Sequence, residues 1–109
     1  MPGKAAKALI VLTTVAKKSD ASRIAKILVE ERLAACISAL PGAESRYTWK
    51  GKLCVEKEIV LLIKTLETAY MKLEKRLKML HPYECPEIIA LPIKRGYGPY
   101  LRWLSEGVC

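Results

Sequence analysis

Residues 9–12 and 59–63 are apolar at successive positions rather than at alternate ones. Side chains of a strand point alternately to the two faces of its sheet, so strands of this kind need cover on both faces. Between them, Ala21, Ile24, Ala25 and Leu28 recur at helical spacing, and the spacing predicts a helix reaching to about Leu33. Ser19 is placed to cap it, with Asp20 in the positive first turn. A second strand is predicted from Ala35 to Trp49, bent or bulged at Pro41-Gly42, and Lys50-Gly51 is a hairpin turn signal. The return strand is predicted over 52–65, charged in its first half and apolar on both faces in its second. Leu66, Ala69, Tyr70, Leu73, Leu77 and Leu80 then form one apolar stripe, with Thr65 as the expected cap and Glu74 and Lys78 as an i, i+4 ion pair on the wet side. That helix must stop at His81, because Pro82 disfavours a helical residue before it. A fourth strand over 86–93, a loop at Gly96, Gly98 and Pro99, and a short helix over 100–104 complete the order.

The order β-α-β-β-α-β plus a short C-terminal helix is an α+β, ferredoxin-like arrangement. Strands one and three are then central and strands two and four are edges. The residues agree: the central pair is apolar on both faces, and Pro41 and Pro92 fall on the edge pair. The helices supply about one layer, so one sheet face stays apolar and open. Burying each bulky aliphatic side chain is worth ~1.5–3 kcal/mol, against ~5–15 kcal/mol for a whole domain. A chain that exposes several of them is expected to associate.

The 109 residues suit one domain, expected over 8–109 behind a short tail over 1–7. No apolar run approaches the ~20 residues of a membrane span, so no membrane is expected as a partner. The first residues lead straight into the first strand, so no targeting segment is expected, and a cytoplasmic location follows. The four cysteines, Cys36, Cys54, Cys85 and Cys109, form no CxxC pair and are expected as free thiols. Cys36 reads as a small core residue and also as a thiol site to watch. The formal net charge of +8 raises nucleic acid as a partner. Many of the basic residues between Lys64 and Lys78 follow a helix's polar face, however, and no nucleic acid is expected.

Several segments together carry a resemblance: residues 28–36 (LVEERLAAC), 41–51 (PGAESRYTWKG), 63–65 (IKT), 81–93 (HPYECPEIIALPI) and 100–104 (YLRWL). In this order, and over nearly the whole chain, they resemble the CutA family of divalent-cation tolerance proteins. The Trp-Lys-Gly hairpin and the His-Pro-Tyr-Glu run are the most specific parts. The resemblance implies a ferredoxin-like fold in a homotrimer, similar in architecture to the PII nitrogen-regulatory proteins. In it the long second and third strands reach past their own domain and pair with neighbours. The trimer comes from the resemblance alone; symmetry statistics favour a dimer.

His81 is the only histidine, and imidazole is a common ligand of copper and zinc. It stands with Tyr83, Glu84 and Cys85 at a helix exit. It reads either as a metal ligand or as a helix-terminal residue bonding a spare carbonyl. The resemblance implies copper held by this histidine, a second one before it and a first-strand cysteine. The matching positions here are Leu80 and Thr13, neither a good copper ligand. Cys85 is the remaining candidate donor, and copper(II) or another divalent cation the candidate ligand; no organic cofactor is implied. Tyr47 and Trp49 lie on one face near the hairpin tip and are the candidate interface anchors. Arg46, Glu56, Glu58, Lys64 and Glu87 are expected to be solvated or paired across strands.

Four functions compete. A non-enzymatic trimer linked to divalent-metal tolerance, copper above all, has the resemblance and His81 behind it. A PII-like sensor with small anionic ligands at subunit clefts would suit the basic charge, but no Gly-rich phosphate loop is present. An enzyme finds little to work with: one histidine, no Ser-His-Asp set, and no Arg-bearing phosphate loop after the first strand, where residues 14–18 read TVAKK. RNA binding of the RRM kind needs aromatics on the central strands, which here carry Leu, Ile and Val.

Overall fold

The computed structural model describes residues 7–109. Apart from Lys7, the tail expected at the N-terminus lies outside the described residues. The elements run β1 (Ala8–Val15), α1 (Lys18–Glu30), β2 (Cys36–Trp49), β3 (Lys52–Leu66), a 3-10 turn (Glu67–Ala69), α2 (Tyr70–Leu80), β4 (Ile89–Pro92) and α3 (Gly98–Glu106). All strand pairs are antiparallel and the sheet order is β2-β3-β1-β4. This is the ferredoxin-like fold, with the apolar strands β1 and β3 in the centre.

Partners directly across an antiparallel ladder share a face, and the registers divide the sheet cleanly. Val11, Val15, Leu61 and Ile63 face the helices and pack with Ile24, Leu28, Leu73 and Leu77 in the core. A second cluster joins Ala8, Leu66 and Ala69 to Leu104 and Val108 of the C-terminal segment. On the other face Ile10, Leu12, Val60, Leu62, Leu40, Ile89 and Leu91 stand together by register, half-buried or exposed. Beyond its Ala8/Leu66 end, which Leu104 and Val108 cover, that face has no layer over it among the described residues.

The β2–β3 hairpin outruns the domain. β1 pairs with β3 only over Ile59 to Leu66, so the pairs from Ala43↔Glu58 to Trp49↔Lys52 form a free two-stranded ribbon. The molecule is accordingly long, 51 × 25 × 23 Å. Its tip is a tight turn in which Lys50 and Gly51 both take positive φ, 51° and 79°, as a two-residue hairpin loop requires. The expected irregularity at Pro41-Gly42 is a bulge: the pairing shifts between Leu40↔Val60 and Ala43↔Glu58, with Gly42 at φ 88°. The extra residue keeps odd-numbered Tyr47 and Trp49 on the same face as even-numbered Leu40.

Several local expectations are corrected. α1 begins at Lys18 after Lys17, with no side-chain cap, so Ser19 lies inside the first turn; Asp20 is in that turn as expected and also pairs with Arg23 (3.2 Å). The helix stops at Glu30, where Arg32 turns the chain at φ 58°. Thr65 caps nothing: it is a buried strand residue whose hydroxyl donates to the Leu33 carbonyl at 2.7 Å. Glu74 and Lys78 form no ion pair; Lys78 Nζ reaches the Glu84 carbonyl at 3.4 Å. β4 is half the expected length, pairing with β1 only from Leu12↔Ile89 to Leu9↔Pro92. α3 is longer than expected at both ends, and Pro99 lies in its first turn, where a missing N–H costs nothing. Cys36 is not in the core: it is half-buried on the open face opposite Lys64, whose Nζ lies 3.9 Å from its sulfur.

Candidate functional site

The segment from His81 to Ile88 leaves the end of α2 and passes beside the C-terminal end of β1. Pro82 forces His81 out of the helix, and its backbone is extended (φ −76°, ψ 134°). This aims the imidazole at β1. Nε2 lies 2.9 Å from the Thr14 carbonyl oxygen and 3.1 Å from Thr13 Oγ1, while Nδ1 accepts the Tyr83 backbone N–H at 3.1 Å. With Nδ1 accepting, the neutral ring must carry its proton on Nε2, which donates to Thr14. Burial pushes the imidazole's pKa below its ordinary value; the Thr14 carbonyl and, more weakly, the Asp20 and Glu58 carboxylates pull the other way. His81 does bond a carbonyl, but one on β1 rather than one of its own helix.

Tyr83 stacks edge-on against His81, with ring centroids 4.8 Å apart. Its hydroxyl donates to Glu58 Oε2 at 2.6 Å. Burial first, and the Glu58 carboxylate second, raise the pKa of this phenol far above its ordinary value, so it stays a donor. Glu58 is only 5% exposed. A buried carboxylate needs such a partner. One chain of contacts, Glu58–Tyr83–His81–Thr14, therefore ties the loop to both central strands.

In front of this chain lies a cleft of about 630 Å3. Its walls are Thr14 of β1 and Ala16 just after it, the ribbon residues Ser45, Arg46, Tyr47, Trp49, Glu56 and Glu58, and the loop residues Tyr83, Glu84, Cys85 and Glu87. Ser45, Tyr47, Trp49, Glu56 and Glu58 share one ribbon face by register, and Arg46, opposite Val55, is the one contribution from the other face. The structure thus gathers Tyr47, Trp49 and Cys85 at one cleft. His81 stands behind it, and Cys36 lies elsewhere on the open face. The Tyr83–Glu58 bond was not foreseen; the only signal was a Tyr in the run after His81.

The chain matches the family model described as CutA1 divalent ion tolerance protein over residues 9–107. It belongs to the CutA1 divalent ion tolerance family. The divalent-cation tolerance protein CutA of Thermus thermophilus is 52% identical over 97 residues, covering 89% of this chain and 94% of that protein. The chloroplastic CutA 1 of rice is 43% identical over 98 residues, 90% of this chain and 55% of that longer protein. Among solved structures, the Thermus CutA1 superposes with a TM-score of 0.91 at 49% identity, covering 94% of this chain and 99% of that one. Rice CutA1 gives 0.93 at 40% identity, with 96% of each chain covered.

The copper site that the CutA resemblance implies does not fit these residues. Thr13 and Leu80 hold two of its three positions, and both ring nitrogens of His81 are already engaged. Among the described residues no three His, Cys, Asp or Glu side chains form a group that could hold a metal ion. Nor, among them, is any helix long and apolar enough to cross a membrane.

Proposed function

We propose that this CutA1 chain acts without catalysis, as a homotrimer, in the tolerance of divalent ions, and that cations meet it at the cleft beside the ribbon. The observation that carries this reading is the cleft's sign. Glu56, Glu58, Glu84 and Glu87 line it against the single guanidinium of Arg46, in a chain whose formal net charge is +8. A cleft of one sign concentrates ions of the other. The same sign speaks against a small anionic ligand there, the sensor alternative. No three of these carboxylates are grouped to coordinate an ion, so the attraction is that of their summed field, which suits hard divalent ions such as manganese or calcium. Copper(II) finds only Cys85 among its softer donors. The trimer is supported by the uncovered apolar face and by the ribbon, whose Leu53 is 74% exposed. The lack of catalysis is supported by His81, whose nitrogens are both committed to backbone groups. A cytoplasmic location is part of the proposal; relatives named as chloroplastic or periplasmic carry the same fold elsewhere.

Isothermal titration tests the reading. Manganese(II) and copper(II) are titrated into the wild type, Glu56→Gln/Glu87→Gln, Cys85→Ser and His81→Ala. Loss of manganese uptake in the double variant alone is the expected result. Unchanged uptake in the double variant would remove the cleft from the account, and loss only in His81→Ala would restore the histidine to it.

A further inference from the structure

A second concavity of about 730 Å3 lies on the helix side, between α2 and the segment that leads to β4. Its chemistry is opposite to that of the acidic cleft. Met71, Pro86 and Ile88 give it an apolar floor, and Met71 is 72% exposed. Lys72, Lys75 and Lys78 follow one another along its α2 edge at i, i+3 and i+6. Glu74 and Glu84 also line it, yet no ion pair joins either to those lysines among the described residues. Lys78 is held only by the Glu84 carbonyl. Arg76, by contrast, is fully used by its two-bonded contact with Glu31 (2.8 and 2.9 Å).

An exposed thioether over an apolar floor, edged by lysines without counter-ions, is an unfilled surface. We infer that this groove docks an acidic peptide segment of a protein partner, with an aliphatic side chain set on Met71, Pro86 and Ile88 and carboxylates along the three lysines. Charge complementarity chooses this occupant. What decides is the local charge: the three unpaired lysines call for carboxylates on the occupant, set at their spacing beside an apolar side chain. A nucleic acid would match the lysines but leave the apolar floor unused. The groove lies on the opposite side of the sheet from the open apolar face, so closing that face in an assembly leaves the groove free.

The test is fluorescence anisotropy of the full chain with a fluorescein-labelled peptide of Glu-Glu-Leu repeats. Lys75→Glu/Lys78→Glu should weaken its binding by about tenfold or more, because reversing charges that face carboxylates replaces attraction with repulsion. Met71→Asp should weaken it several-fold. Lys17→Glu/Lys18→Glu, a reversal away from the groove, should leave it within about twofold once salt near 0.15 M screens distant charges. In the unmutated protein, the peptide should shift the Met71 methyl resonance and spare that of Met79, which does not line the groove. Equal binding by the α2 reversal, or equal binding of a peptide with Ser in place of Leu, would overturn the inference. So would a labelled single-stranded oligonucleotide binding more tightly than the peptide, or a fall in sedimentation coefficient on charge reversal, which would make the occupant a second copy.

Discussion

The Tyr83 hydroxyl and the Glu58 carboxylate meet at 2.6 Å, 25 residues apart in sequence. The bond closes the loop after α2 onto the root of the ribbon. Tyr83→Phe leaves the nearly buried carboxylate without this donor, and an unsatisfied charged group costs about 1–3 kcal/mol or more. Denaturant melts of Tyr83→Phe, Glu58→Gln and the double variant should show a destabilised Tyr83→Phe and clear coupling between the sites. Additive effects would mean that the bond contributes nothing.

His81 predicts a pH dependence of stability. Burial lowers its pKa in the fold, while the unfolded chain has the ordinary value of about 6.5. Below that value the unfolded state binds the extra proton and the folded state does not. Stability contributed by the neutral ring is therefore intact above pH ~6.5 and is lost as pH falls from there towards the folded value, at no more than about 1.4 kcal/mol per pH unit. Guanidinium melts between pH 8 and pH 5 should show this slope in the wild type and a flatter one in His81→Gln. A wild-type stability that rises on acidification through this range would contradict it.

The hairpin bulge turns on Gly42. Its φ of 88° lies where L side chains are strained, and a Cβ there would meet nothing within 4 Å. Gly42→Ala should therefore cost about 1 kcal/mol from backbone conformation alone. A melt showing no loss would mean that the bulge relaxes to another geometry.

Thr65 was expected to open a helix and instead closes a strand. Its hydroxyl is the side-chain donor to the Leu33 carbonyl just after α1. Thr65→Val keeps the shape and deletes that donor, leaving a carbonyl short of its bond. The expected cost is about 1–3 kcal/mol in a denaturant melt. Thr65→Ser should recover most of it.

Much of the fold was legible because apolar spacing is set by burial. The unbroken runs at 9–12 and 59–63 gave the central strands and foretold an uncovered face, and Ile10, Leu12, Val60 and Leu62 now stand on it. The ends of elements were less legible. Ser19 and Thr65 are good caps by type, but α1 starts one residue before Ser19, and Thr65 is held in β3 by its pairing with Leu9 while its hydroxyl bonds Leu33. Cys36 looked like a core residue because its sequence neighbours are apolar; its register opposite Lys64 puts it on the other face. The cleft was the least legible part. Glu56, Glu58, Glu84 and Glu87 come from two distant segments, and only the ribbon's bulge and the loop's path past β1 bring them together. His81 stands out in the sequence as the only histidine, yet a residue type does not report which partners take its nitrogens.

The proposed association of three copies over the open face underlies the account of this CutA1 chain, and sedimentation equilibrium at micromolar concentration tests it most directly. The account predicts one species at three times the chain mass of 12.2 kDa, with Leu12→Asp/Leu62→Asp falling to single chains. A wild-type protein that stays a folded species of 12.2 kDa would contradict it.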